Sequence, residues 1–222
     1  MKQGPIRLVV LNGAPQVSGT VAKLAKQAVA AAKHEARFHD FKVEAEVIHL
    51  NRVMKGFHQG RFDFPRWLRP TFASLNAADI VIFATPVTNY SASPLMHNML
   101  AYLYSFERAD GTHVLDGKVV GTVIHGREDC ATKADLDMQG PFNDFGLHRP
   151  PHSRGIQIRG GKDRSENLWQ LTEHLLTGEN IVRTHIVINI DNAIDVNGWD
   201  IRYVPPNIKA EVERARASEI RH

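Results

Sequence analysis

The stretch "VVLNGAPQVSGTVAKLAKQAVAAA", residues 9–32, joins an apolar run to a helical pattern through a loop of small and polar residues. Ile6 to Leu11 reads as a buried strand. From Thr20 to about Ala36 the apolar residues Val21, Leu24, Ala25, Ala28 and Val29 recur at helical spacing, with Thr20 or Ser18 as the expected N-cap. Two readings of Asn12, Gly13, Ala14, Ser18, Gly19 and Thr20 stand side by side. One is plain turn-and-cap chemistry. The other is an anion cradle, because unpaired N–H groups and the helix dipole favour negative charge at a helix start. No Gly-Lys-Ser/Thr follows and no Gly-x-Gly-x-x-Gly occurs, so neither familiar nucleotide loop is present.

Beyond this stretch, strands and helices alternate. Lys42 to Leu50 alternates in polarity as a second strand, and the aromatic, basic segment Asn51 to Pro70 reads as an irregular crossover into a helix ending near Ala78. Ile80 to Ala84 is a short continuous apolar run of the kind buried on both faces of a parallel sheet. A helix from Pro94 to Phe106, a strand at Val119 to Ile124, a loop and helix over Arg127 to Phe145, a weaker strand at Gly155 to Ile158 and a helix over Asn167 to Thr177 complete the pattern. Such alternation implies right-handed βαβ units and a parallel sheet covered on both faces. Ligands of these sheets bind outside the carboxyl ends of the strands, which places the loops Asn12 to Thr20, Pro86 to Ser93 and His125 to Asp129 on one rim.

Composition narrows the function classes. The chain has 222 residues and a formal charge of +3, with basic residues dispersed rather than patched, which argues against nucleic acid. No run approaches the roughly 18 apolar residues of a membrane helix, and the residues before the first strand, Met-Lys-Gln-Gly-Pro, do not read as a signal-peptide h-region or cleavage site. Cys130 is the single cysteine, so an internal disulfide is impossible. The expected location is the cytoplasm.

The second loop, "ATPVTNYSASPLMHNML" (residues 84–100), is the most informative. Pro86 and Pro94 stiffen its ends, and Val87, Thr88, Asn89, Tyr90, Ser91 and Ser93 offer N–H groups, hydroxyls and one ring to the edge of a flat heterocycle. The alternative is an ordinary strand-to-helix connection with Pro94 starting the helix. Together with "LNGAPQVSGT", this loop resembles the NADPH-dependent FMN reductase and quinone reductase family of flavodoxin-like proteins. Thr85, Pro86, Asn89, Ser91 and Asn98 fall on matching positions, and the likeness runs loosely from Ile6 to about Pro151. The departures are specific: Ala14 stands for the family Ser, Gln16 for its Arg, Thr88 for its Tyr and His97 for its Lys. Losing that Arg removes a charge-assisted phosphate contact worth about 1.5–3 kcal/mol.

The resemblance implies a three-layer sandwich with a five-stranded parallel sheet and helices on both faces. It also implies FMN across the three rim loops, NADPH or NADH as reductant, and a small acceptor such as a quinone or flavin. The FMN contacts expected on that basis are Asn12, Ala14, Gln16, Ser18, Gly19, Thr20, Pro86, Val87, Thr88, Asn89, Tyr90, Ser91, His125 and Gly126. The cofactor carries the chemistry, so no side chain is named as acid or base. A flavodoxin-type electron carrier and a protein that has lost FMN are the alternatives. Family members are commonly dimers or tetramers, so a homodimer or homotetramer is expected.

Other features read as structural. Twelve histidines include no His-Glu-x-x-His, and His148 and His152 sit in a Pro-rich loop, so no metal site is expected. Asp135 and Asp137, two apart on a helix, point in different directions. Arg127 either meets a nicotinamide cofactor's phosphate or pairs with Glu128 and Asp129 in solvent. We divide the chain into a flavin-binding domain over 1–185 and an extension over 186–222, with a hairpin turn at Asn197-Gly198 and a final helix.

Overall fold

The computed structural model describes residues 4–60, 65–106, 113–126, 128–150, 153–158, 168–186, 194–195 and 198–199. Its elements are β1 (Ile6–Asn12), α1 (Thr20–Phe38), β2 (Val43–His49), α2 (Leu50–Val53), α3 (Arg69–Ala77), β3 (Ile80–Thr88), β4 (Ser91–Ala92), α4 (Pro94–Leu103), β5 (Val119–Gly126), α5 (Glu128–Asp144), β6 (Arg154–Ile158), α6 (Leu168–His185), β7 (Ile194–Asp195) and β8 (Gly198–Trp199). Two compact units divide between Val182 and Arg183.

Five parallel strands form the central sheet in the order β2-β1-β3-β5-β6, and the two-residue β4 adds an antiparallel pair to the end of β3. Chain order therefore reverses at β1, as in flavodoxin-like sheets, and the crevice at that reversal is where ligands of such folds sit. Alternation along the strands assigns the two faces. Val9, Leu11, Val81, Phe83, Val120 and Ile124 join one core with Leu75, Met96, Met99, Leu103, Met138 and Phe142 from α3, α4 and α5. On the other face α1 crosses β1, β3 and β5, burying Val21, Leu24, Ala25, Ala28 and Ala32. In α1 the residues read as apolar from periodicity, Val21, Leu24, Ala25, Ala28 and Val29, are all buried.

Two glycines set how closely α6 approaches this second face. A Cβ on Gly121 would lie 2.8 Å from the Thr177 methyl, and one on Gly178 would collide with the Ala28 carbonyl of α1. The helix thus packs directly against backbone.

The structure extends or shifts several expected elements. The segment from Asn51 to Pro70 is not wholly irregular: α2 opens it, a 3-10 turn spans Arg66–Leu68, and α3 starts at Arg69 with Pro70 in its first turn. The third strand runs four residues past Ala84, to Thr88, because β4 gives its end a partner. The helix expected to end at Thr177 continues to His185, through Gly178, whose Cβ would collide with the Ala28 carbonyl of α1. In the second unit Asp195 pairs with Gly198, so Gly198 belongs to a strand, and Asn197 of the expected hairpin turn lies outside the described residues. The expected final helix, His152 and Arg127 also lie outside them.

The two aspartates of α5 do diverge. Asp135 turns inward, where its Oδ1 accepts from Thr122 Oγ1 of β5 at 2.7 Å and from Arg149 Nη2 at 2.6 Å. That ion pair is only 3% and 17% exposed at its acidic and basic side chains. Replacing one partner would strand the other's charge away from water. Arg149→Leu is expected to cost about 3–5 kcal/mol of folding stability, read from the urea midpoint. Gly178→Ala should cost about 1–3 kcal/mol through overpacking against α1, with no change in the denaturant slope.

Candidate functional site

Parallel pairing brings the loops after β1, β3 and β5 to one edge, and hydrogen bonds then fasten them together. Asn12 lies beside both His49 and Ala84 in register, and Pro86 lies beside His125. Gly13 N–H donates to the Ala84 carbonyl at 2.8 Å. Ser93 ties the first loop to the second. Its Oγ donates to the Gly13 carbonyl at 2.7 Å and accepts from Met96 N–H at 3.2 Å as the N-cap of α4, while its N–H donates to Thr85 Oγ1 at 2.9 Å. A Cβ on Gly13 would approach Ser93 Oγ to 2.8 Å, so glycine is required for this seam.

The first loop separates into a buried root and an exposed tip. Asn12 is 0% exposed, and Ala14 is buried beside it. Asn12 Oδ1 accepts from Ala14 N–H at 2.9 Å, and its Nδ2 donates to His49 Nδ1 at 3.0 Å. These two expected contacts therefore shape the loop from within. Because Nδ1 must accept, His49 is neutral, with its proton on Nε2. Burial, with Arg52 and Lys26 nearby, holds its pKa below the ordinary imidazole value. Asn51 Nδ2 braces the loop from α2 by donating to the Pro15 carbonyl at 2.8 Å.

At the tip, Gln16, Ser18 and Thr20 are exposed. The N-cap of α1 is Gly19 in extended backbone, not Ser18 or Thr20, and no side chain caps the helix. The sequence favoured a hydroxyl cap because Ser and Thr are good caps. Here both hydroxyls flank the helix start instead, and the first turn contains no acidic residue. An uncapped 19-residue helix bordered by two hydroxyls is a donor set suited to a phosphate.

The second and third loops form a cleft of about 360 Å³. Its described walls are Pro86, Val87, Asn89, Tyr90, His125, Gly126 and Cys130. Six of these are expected from the sequence; the seventh is Cys130, in the first turn of α5, which the sequence marks only as the single cysteine. Gly126 is small because a Cβ there would run into the Val87 side chain. Thr88 and Ser91 close a two-residue hairpin whose turn residues Asn89 and Tyr90 have φ of 49° and 63°. This is a type I′ turn, normally Asn-Gly. Tyrosine in left-handed backbone costs about 1–2 kcal/mol, yet Tyr90 is 63% exposed and gains little burial in return. The matched Asn98 faces elsewhere: its side chain accepts from His58 N–H and donates to the Gly56 carbonyl, each at 2.8 Å, pinning the crossover after α2.

One sheet edge thus presents a phosphate-suited helix tip and, beyond the Ser93 seam, a half-apolar cleft with polar rims. The size and the mixture of apolar walls with a few polar groups suit a flat heteroaromatic ring. The residues present fit FMN. Among the described residues, no helix is long and apolar enough to cross a membrane.

Similarity to known proteins agrees with this geometry. No curated protein matches the chain. Solved structures share the fold at low identity. An oxidoreductase from Corynebacterium diphtheriae superposes with a TM-score of 0.63 at 14% identity, over 80% of this chain and 97% of that one. RosB, crystallised with 8-demethyl-8-formylriboflavin-5'-phosphate as bound intermediate, gives 0.63 at 18% identity, over 96% and 87%. The NADH:FMN oxidoreductase EmoB gives 0.59 at 20% identity, over 78% and 88%. The family model for NADPH-dependent FMN reductase matches residues 6–152, the span that carries all three rim loops, and the chain belongs to that family.

Proposed function

We propose that this protein binds FMN and uses NADPH or NADH to reduce a small acceptor, such as a quinone or a flavin. The observation that carries this reading is the union, on one sheet edge, of an uncapped helix start and a ring-sized cleft through the Ser93 seam. Bound FMN would supply the hydride and electron chemistry. The chain's own part is to bind and orient. Ser18, Gly19 and Thr20 with the first N–H groups of α1 would hold the phosphate, and Gln16 lies beside them in place of a cation. Pro86, Val87, Thr88, Asn89, Tyr90, Ser91, His125 and Gly126 would hold the ring, with backbone N–H groups as donors that favour the more electron-rich reduced form. We expect a homodimer or homotetramer.

A second reading makes the flavin phosphate the compound that is transformed. It is favoured by the reach of the RosB likeness, 96% of this chain against 80% and 78% for the other two structures. Mass analysis of the flavin after turnover separates the two: unchanged FMN fits the oxidoreductase, and a modified ring fits the second reading.

The direct test is a visible spectrum of the protein reconstituted with FMN, followed by NADPH or NADH without oxygen. A yellow protein that bleaches supports the reductase. One that stays yellow indicates an electron carrier, and a colourless one a protein that does not retain FMN. Ser18→Ala with Thr20→Ala should weaken FMN binding by about 1–3 kcal/mol in total, measured by fluorescence titration, and Gln16→Arg should strengthen it. Tyr90→Gly should stabilise the apoprotein by about 1 kcal/mol while loosening the flavin, separating turn strain from ring contact.

His49 gives the fold a pH dependence of defined sign. Its pKa is depressed by folding, so below the ordinary histidine value of about 6.5 the unfolded chain binds more protons. Stability is then lost as pH falls through that window. Urea midpoints between pH 7 and 5 should fall less steeply for His49→Gln than for the parent protein.

A further inference from the structure

The turn joining β3 to β4 places a tyrosine in a backbone region that disfavours it, and nothing within the turn relieves this. The restraint comes from outside. Ser91, the residue after the turn, donates its hydroxyl proton to Asp137 Oδ2 of α5 at 2.8 Å. Ser91 Oγ also lies 2.8 Å from His97 Nε2 of α4. A hydroxyl has one proton, and a carboxylate only accepts; with that proton committed to Asp137, His97 must donate from Nε2. Lys133, one helical turn before Asp137, donates to both carboxylate oxygens at 2.9 and 2.7 Å. The lysine hydrogen bond, with smaller help from Ser91 and His97, holds the Asp137 carboxyl below the usual carboxylate range. Two helices thus converge on the one side chain that anchors the strained turn. None of Asp137, His97 and Lys133 is among the described residues lining the cleft.

We propose that Asp137 is a positioning residue for flavin binding: through Ser91 Oγ it locks residues 88–91 in the conformation that presents their backbone N–H groups and the Tyr90 ring to the isoalloxazine. This rests on the FMN reading above. The role requires an acceptor oxygen at position 137, not a charge, and that distinction makes it testable. Asp137→Asn keeps an oxygen for the Ser91 hydroxyl, whereas Asp137→Ala removes it. Asp137 lies on a partly exposed helix face, so both variants are compatible with folding.

Three measurements on the full chain decide the matter. In flavin-free protein, amide hydrogen exchange at 88–92 should speed up about tenfold in Asp137→Ala and stay within about twofold of the parent in Asp137→Asn. The FMN dissociation constant should rise about tenfold in the alanine variant and stay within about threefold in the asparagine variant. The midpoint potential of bound FMN should move only in the alanine variant. Ser91→Ala, which also removes the His97 contact, should lose at least as much as Asp137→Ala, and the double variant should be no weaker than Ser91→Ala, since Asp137 acts on the turn through that hydroxyl. Asparagine behaving like alanine, additive losses in the double variant, or exchange and affinity unaltered in Asp137→Ala would each overturn the clamp while leaving FMN binding intact. Parent protein that takes up no FMN would overturn the proposal together with the reading beneath it.

Discussion

A single hydroxyl, that of Ser93, is the constraint on which the site depends. It receives the Met96 N–H in the first turn of α4, gives its proton to the carbonyl of Gly13, and is itself placed by the Thr85 hydroxyl, which accepts from the Ser93 N–H. Backbone pairing in the sheet can bring strand ends side by side, but it does not decide how the loops beyond them lie. The Ser93 bonds do, because they are made on the loop side of the sheet edge and are buried. They also explain why residue 13 has no side chain, a point that turn chemistry alone leaves open.

The rest of the site is arranged around that seam with opposite treatments of polar groups. At the root of the first loop polar groups are paired across elements: Asn12 with His49 and Ala14, and the Pro15 carbonyl with Asn51. At the tip, the start of α1 lacks a side-chain cap and its hydroxyls face solvent. A polar network with every member satisfied is rigid, and an uncapped helix start is an invitation to an anion. Placing one beside the other gives a fixed frame around an available donor set, which is what preorganised binding requires.

Much of this was legible in the amino-acid sequence, and the reasons for success and failure are physical. Strand and helix alternation from β1 to β6 follows from hydrophobic periodicity, and the three rim loops follow from the topology of parallel sheets. Pro86 and Asn89 in the cleft were accessible from the chemistry of their loop, and Gly126 through the family resemblance. What escaped was settled by contacts distant in sequence. Ser18 and Thr20 have the right chemistry to cap α1, but the backbone enters at Gly19. The helix expected to end at Thr177 runs on to His185 through Gly178, whose lack of a side chain is required by the Ala28 carbonyl of α1 beside it. Ser93 reads as one polar group of the loop among several and Thr85 as a match to the family motif, and their joint role as a seam appears only when residue 13 arrives, eighty positions before Ser93. Cys130 was visible as a residue but not as part of a wall, since helix phase at a strand-to-helix junction is poorly fixed by pattern alone.

The close approach of Gly126 to Val87 carries an implication for how such a cleft can diversify. The two positions sit on adjacent strands and compete for a single volume, because any side chain at 126 would overlap the valine. Bulk can therefore reside on one strand or the other but not on both. A lineage that enlarges residue 126 must first shrink residue 87, and the intermediate with two small residues would have a wider floor than either endpoint. The shape of the ring pocket is thus free to change only along a path of paired exchanges, and its breadth at that point is a property of the pair.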